Sequence, residues 1–166
     1  MTDSKSNGFV LAIHGGAGTL RRDAMTGEHA TLYRARLGRA LIAGRDVLAR
    51  HGSALDAVTE AVVMLEDDPL FNAGRGAVFT RDGTQEMDAA VMDGCDRRAG
   101  AVAGIFGPRN PILAARAVME RSPHVLLIGD GAIAFCREAE LTFAERDYFY
   151  TEARWRALTE LSLIHI

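Results

Sequence analysis

Hydrophobic residues along the chain change period several times, and each change predicts an element. Phe9–Ile13 is a short apolar run of strand formers ended by Gly15-Gly16, which predicts a buried strand running into a tight loop. From about residue 28 to 51, Leu32, Ala35, Leu37, Leu41, Ile42 and Leu48 recur at helical spacing, with Gly52 as the stop. Ser53 then reads as the cap of a second helix, with Asp56 near its positive end and Leu55, Val58, Ala61, Val62 and Leu65 along one face. Pro69 ends that helix. Ala77–Thr80 and Gln85–Met92 flank Arg81-Asp82-Gly83-Thr84, where Asp-Gly predicts a hairpin turn.

Asp93-Gly94-Cys95-Asp96 predicts the next turn, into a strand over Arg98–Phe106. That strand is rich in Gly and Ala, which lets another layer approach closely and predicts a sheet covered on both faces. Asn110 reads as an N-cap with Pro111 at the first helical position, and Ile112, Ala115, Val118 and Met119 point inward as far as about Arg121. A strand over His124–Ile128 follows, and Gly129-Asp130-Gly131 turns into a helix reaching about Ala139. Residues 142–160 read as helical and amphipathic, anchored by Phe143, Tyr150, Trp155 and Leu158.

Composition narrows the class. The chain has 166 residues, 48% of them hydrophobic and 25% charged, enough for one soluble domain with a sizeable core. A formal net charge of -3, with scattered arginines and Lys5 as the only lysine, gives no basic surface for nucleic acid. Cys95 and Cys136 lack the spacing of a zinc site or a disulfide framework and read as reduced, partly buried thiols. The polar stretch over residues 1–8 reads as a disordered lead without a secretory h-region. No apolar run reaches membrane-spanning length, so a cytoplasmic location is expected.

Several loops have the composition of chemical sites. His14-Gly15-Gly16-Ala17-Gly18 follows a strand, and its glycines leave backbone N–H groups free to converge on an anion or oxyanion. The same glycines also serve a sharp turn, which spacing alone favours. An esterase oxyanion loop would need a G-x-S-x-G elbow, and the chain has none. Gly129–Ala134 matches G-x-G-x-x-A after a strand and before a helix, so a noncatalytic dinucleotide-binding module is a rival reading. That reading lacks a second βαβ unit and a clean acidic ribose ligand. Asp67 and Asp68 lie outside EF-hand spacing; the loop over Leu65–Arg75 either wraps a cation in backbone carbonyls at a helix C-terminus or is a plain helix stop with its acids exposed. Asn72 either reaches into a site or caps its own turn. Self-cleavage before a threonine would free an α-amine to act as a base. The two Gly-Thr pairs, at Thr19 and Thr84, fit that role poorly.

Four segments together resemble the plant-type L-asparaginase/isoaspartyl peptidase family of N-terminal-nucleophile hydrolases. They are Ala12-Ile-His-Gly-Gly-Ala-Gly18, Ala54-Leu-Asp-Ala-Val-Thr-Glu-Ala61, Leu70-Phe-Asn-Ala-Gly-Arg-Gly-Ala-Val-Phe-Thr80 and Met87-Asp-Ala-Ala-Val-Met-Asp-Gly94. Arg98–Gly104, Arg109–Arg116 and Ser122–Val125 reinforce the likeness, which covers about residues 9–158 and is nearest to bacterial isoaspartyl peptidases. Glycosylasparaginase and threonine aspartase are the alternatives within the superfamily.

The resemblance implies an α/β (α+β) fold forming part of an αββα four-layer sandwich, completed by a β subunit cut from the same precursor. It implies an (αβ)2 heterotetramer acting on asparagine and β-aspartyl dipeptides through a threonine nucleophile on the β subunit, absent from this chain. His14, Gly15 and Gly16 would support the geometry around that nucleophile, and Asn72 would lie beside it. Backbone oxygens of Leu65, Glu66, Asp68, Phe71, Ala73 and Arg75 would hold a structural Na+, with no organic cofactor. Residues 9–160 correspond to most of the α subunit, whereas Leu161-Ser-Leu-Ile-His-Ile166 reads as a non-native tail. By itself the chain is expected to be inactive and either poorly soluble or loosely packed, unless it complements a separate β chain.

Overall fold

A computed structural model describes residues 8–16 and 25–164, without the side chains of 161–164. Most of the expected disordered lead, Thr19 and the end of the tail lie outside the described residues. Within them the chain is a mixed α/β structure of six helices and a three-stranded sheet.

Helix α1 (Gly27–Ala49) begins at Thr26, whose Oγ1 accepts the His29 N–H at 3.2 Å. Helix α2 (Ala54–Glu66) begins at Ser53, as its sequence predicts. Ser53 Oγ accepts the Asp56 N–H at 3.0 Å and donates to the Asp56 carboxylate at 2.7 Å. The two helices meet along small residues rather than large ones. A Cβ on Gly44 would stand 2.7 Å from the Ala57 carbonyl oxygen, and Ala40, Ala57 and Ala61 are fully buried. Leu32, Leu41, Ile42 and Val58 remain 38–48% exposed on the outer sides. The helical spacing was legible, but the inward face is set by close backbone approach.

Strand β1 (Met87–Met92) pairs antiparallel with β2 (Ala99–Ile105), with a register shift between Met87 and Ala89. Asp82-Gly83 turns as predicted, with Gly83 at φ 72°, but the hairpin before β1 narrows to a single bridge between Phe79 and Gln85. Helix α3 (Pro111–Arg121) carries the chain across to β3 (Leu126–Ile128), which lies parallel to β2 at the sheet edge. Helix α4 (Gly129–Glu138) starts directly from β3. Ile112, Ala115, Val118 and Met119 of α3 are buried as expected, together with Val102, Ile105, Val91 and Met87 from the strands. At Gly100 a Cβ would collide with the Ala115 carbonyl and stand 2.5 Å from the Met119 nitrogen. There the small residue has the role its sequence implies.

The other sheet face corrects the expectation of a layer on both sides. Alternate positions Ala90, Met92, Leu126 and Ile128 are exposed, with Met92 at 57% and Ile128 at 65%, while Ala101 and Ala103 are half-buried. Among the described residues nothing covers this face. Phe9–Ile13 is a second correction. It belongs to no strand, and Val10 is 95% exposed. A strand exists only through a ladder partner, and an apolar run does not supply one.

The predicted helix over 142–160 is divided into α5 (Arg146–Phe149) and α6 (Glu152–Ile164). Thr151 caps α6, its Oγ1 accepting the Arg154 N–H at 3.3 Å. Of the aromatics here Phe149 is the fully buried one, while Tyr150 and Trp155 are 45% and 38% exposed.

The end of α2 meets the start of α3. Asn110 stands at the cap position of α3 with Pro111 first in the helix, but its side chain makes no cap hydrogen bond and is drawn to Asp67. Glu66 Oε1 accepts the Ile112 N–H at 2.9 Å instead, so a glutamate from one helix caps the next. Its Oε2 is buried without a hydrogen-bond partner, and the residue is 3% exposed. Burial pushes this carboxyl up to about 8, against the hydrogen bonds from Ile112 and Asn110 and with help from the neighbouring Asp67 charge.

Two outcomes are expected in denaturant unfolding. Gly100→Ala forces α3 off the sheet and costs about 1–3 kcal/mol. A carboxyl protonated when folded and ionised when unfolded loses its stabilising effect as pH rises from the ordinary glutamate value of 4.5 to about 8. Glu66→Gln, which keeps the cap without the charge, should flatten that decline. An unchanged pH profile would contradict the assignment.

Candidate active-site loop

The segment after α2 folds back on itself at two glycines. Gly74 takes φ 49°, and a Cβ there would stand 2.5 Å from the Glu66 carbonyl oxygen. A Cβ on Gly76 would collide with the Phe71 carbonyl and lie 2.6 Å from that of Pro69. Side chains at either position would occupy the space into which these carbonyls turn. A 3₁₀ turn over Gly74–Gly76 closes the segment. Of the six residues expected around a cation, Leu65, Glu66 and Phe71 are buried at 8%, 3% and 4% exposure, and Arg75 is exposed. The carbonyls of Leu65, Asp68 and Ala73 also accept backbone N–H groups within the loop at 3.0–3.3 Å. Backbone carbonyl oxygen is the donor type that a hard cation such as Na+ takes, and the Glu66 and Phe71 carbonyls turn into the space left open at Gly74 and Gly76.

Asn72 stands at the exposed tip. Its Oδ1 accepts the Val78 N–H at 2.9 Å, which ties the loop across its base. The amide NH2 is left without a partner among the described residues. The side chain therefore both braces its own loop and presents a donor outward.

The glycine loop packs behind this tip. A Cβ on Gly15 would stand 3.1 Å from the Phe71 ring and 2.8 Å from the end of the Leu37 side chain, so a larger residue there would make both side chains shift. Phe71 also meets Tyr33 edge-on at 6.0 Å, beside Ile13 and Leu37. His14 Nδ1 accepts the Gly16 N–H at 3.1 Å, with Gly16 at φ 102°. Thus His14 stabilises its own turn, and the two sequence motifs join through Gly15 and Phe71.

Asp67 anchors the other side. Its carboxylate accepts Tyr148 OH at 2.8 Å, Asn110 Nδ2 at 3.1 Å and the Arg109 guanidinium at 3.1 and 3.2 Å. Burial pushes this carboxyl up, but Tyr148, Arg109 and Asn110 outweigh it and hold it below the usual range. Arg109 and Arg75 lie over the Tyr148 ring at 5.0 and 5.5 Å. Asp68 is engaged by the Leu70 N–H and by Arg36. Arg109, Asn110 and Tyr148 lie 42 to 81 residues from Asp67, and no local pattern in the sequence announces the cluster.

The remaining motifs take other roles. Gly129–Ala134 lies within α4; Ala132 is fully buried and packs in the core, whereas nothing stands within 4 Å of where a Cβ on Gly129 or Gly131 would be, and Gly129 takes φ 51° at the turn into the helix. Thr84 is paired to Thr80 in the turn at 2.7 Å. Cys136 is buried, but Cys95 is exposed, not partly buried. No helix among the described residues is long and apolar enough to cross a membrane.

Comparison with known proteins places these features together. The profile of the family described as Asparaginase matches residues 7–163. An isoaspartyl peptidase of Salmonella typhimurium is 50% identical over 165 residues, covering 96% of this chain and 53% of its own length. The isoaspartyl peptidase of Escherichia coli is 50% identical, covering 90% of this chain and 46% of its own. A plant-type L-asparaginase of Thermococcus kodakarensis is 52% identical, with 92% and 47% covered. The chain spans about half the length of the curated relatives it matches. With the glycine loop, the Asn72 loop and the strands behind them inside the matched span, the chain belongs to the plant-type L-asparaginase/isoaspartyl peptidase family.

Proposed function

We propose that this chain is the α-subunit portion of a hydrolase that cleaves β-aspartyl peptides and asparagine. The observation that carries the reading is the Asn72 tip, braced at Val78 and backed by Gly15, in a chain half identical to proteins named isoaspartyl peptidase. In this reading the acyl-accepting threonine belongs to the relatives' second half, and the present chain supplies the wall beside it. Asn72 offers its amide donors there, where an oriented hydrogen bond to developing charge lowers the barrier. His14 and the glycines hold the backbone behind that wall.

The open face of the β1–β3 sheet supports a second layer contributed by the β subunit, as an αββα sandwich requires. Ala90, Met92, Leu126 and Ile128 form an apolar floor of the kind sheets bury against one another. The carbonyls of Leu65, Glu66, Asp68, Phe71, Ala73 and Arg75 would hold Na+, which supplies positive charge that fixes the loop and takes no part in bond breaking.

Three outcomes follow. The 166-residue chain alone should release no aspartate from a β-aspartyl dipeptide, whereas a chain of the relatives' full length carrying it should. Turnover by the short chain would sink the assignment. Sodium chloride should raise the melting temperature above that in choline chloride at equal ionic strength, and equal melting would argue against the cation. Asp67→Asn, which disrupts the acceptor of four hydrogen bonds, should cost about 1–3 kcal/mol in urea unfolding.

A further inference from the structure

The loop that carries Asn72 is closed by a residue far along the chain. Arg154, near the start of α6, donates from Nε to the Gly76 carbonyl at 2.8 Å and from NH2 to the Leu70 carbonyl at 3.3 Å. These carbonyls stand on either side of Asn72, two residues before it and four after. A guanidinium presents its donors in a fixed planar fork, so one side chain can hold two acceptors at a set separation. An ammonium lacks that geometry. The fork sets the two ends of the 70–76 segment, and the Asn72–Val78 hydrogen bond sets the side chain within it.

The next residue strengthens the link. Trp155 meets Phe79 edge-on at 5.2 Å and lies 6.3 Å from Tyr150, with its ring 3.5 Å from where a Gly83 Cβ would stand. Consecutive residues of α6 thus grip the loop and the turn that follows it. Gly76 admits no side chain, so the loop cannot reach the same closure by packing of its own.

We infer that Arg154 is a positioning residue for Asn72, and that α6 controls the Asn72 loop through it. The catalytic part of this inference rests on the function proposed above, and the positioning part does not. It makes the loop responsive to whatever orients α6.

The test is hydrogen exchange on the 166-residue chain, comparing wild type with Arg154→Lys and Arg154→Ala. Lysine keeps the charge and the aliphatic stem, and so guards against a variant that merely fails to fold. Exchange of the amides over 70–78 should rise about 10-fold or more in Arg154→Lys. Exchange in α1, α2 and β2 should change less than about 2-fold. Unchanged exchange over 70–78, or an equal rise throughout, would overturn the inference. In a chain of the relatives' full length, Arg154→Lys should lower kcat for a β-aspartyl dipeptide about 10-fold with KM within about 3-fold. An opened loop with unchanged kcat would overturn the catalytic part. A wild-type chain of the relatives' full length with no hydrolysis would refute the function and leave exchange to judge the positioning.

Discussion

The end of α2 and the start of α3 meet head to tail, and two adjacent carboxyl groups hold the joint. Glu66 accepts the first available N–H of α3, and Asp67 gathers Arg109, Asn110 and Tyr148. The two carboxyls occupy opposite electrostatic settings although they are neighbours in sequence. Burial dominates at Glu66 and favours its neutral form, whereas donors dominate at Asp67 and favour its charge. Both the sheet-covering helix and the loop with Asn72 leave from this joint, so its geometry fixes one relative to the other.

Small residues determine the packing on either side of it. Gly44 against Ala57 and Gly100 against Ala115 bring backbone onto backbone, where dispersion contacts are dense and there is little side-chain entropy to lose. At the candidate site Gly15 instead lets backbone approach side chains, the Phe71 ring and Leu37. The loop around Asn72 therefore has a packed apolar backing and one polar side chain at its tip.

Local chemistry made much of this readable. Ser53, Gly83 and Pro111 have local signals for a cap, a turn and a helix start, and they occupy those places. Asn72 could be read as the cap of its own turn, and its side chain does hold that turn at Val78. The misses share one cause. Phe9–Ile13 shows strand composition, and the Ala-rich β2 shows tolerance for a close layer. Neither names the partner that must lie alongside, and among the described residues that partner is absent on the open side. Phe149, Tyr148 and Arg154 take their roles from groups 60 to 85 residues away in sequence. Periodicity carries no information at that range.

The floor of the open sheet face also has a volume. Ala90, Ala101 and Ala103 run across its middle, flanked by Met92, Leu126 and Ile128. Facing sheets stand about 10 Å apart, and alanines reach only a small part of that gap. A layer seated here must bring its bulk to the centre and its small residues to the margins. The face is a mould, and the size profile of its complement can be read from it in reverse.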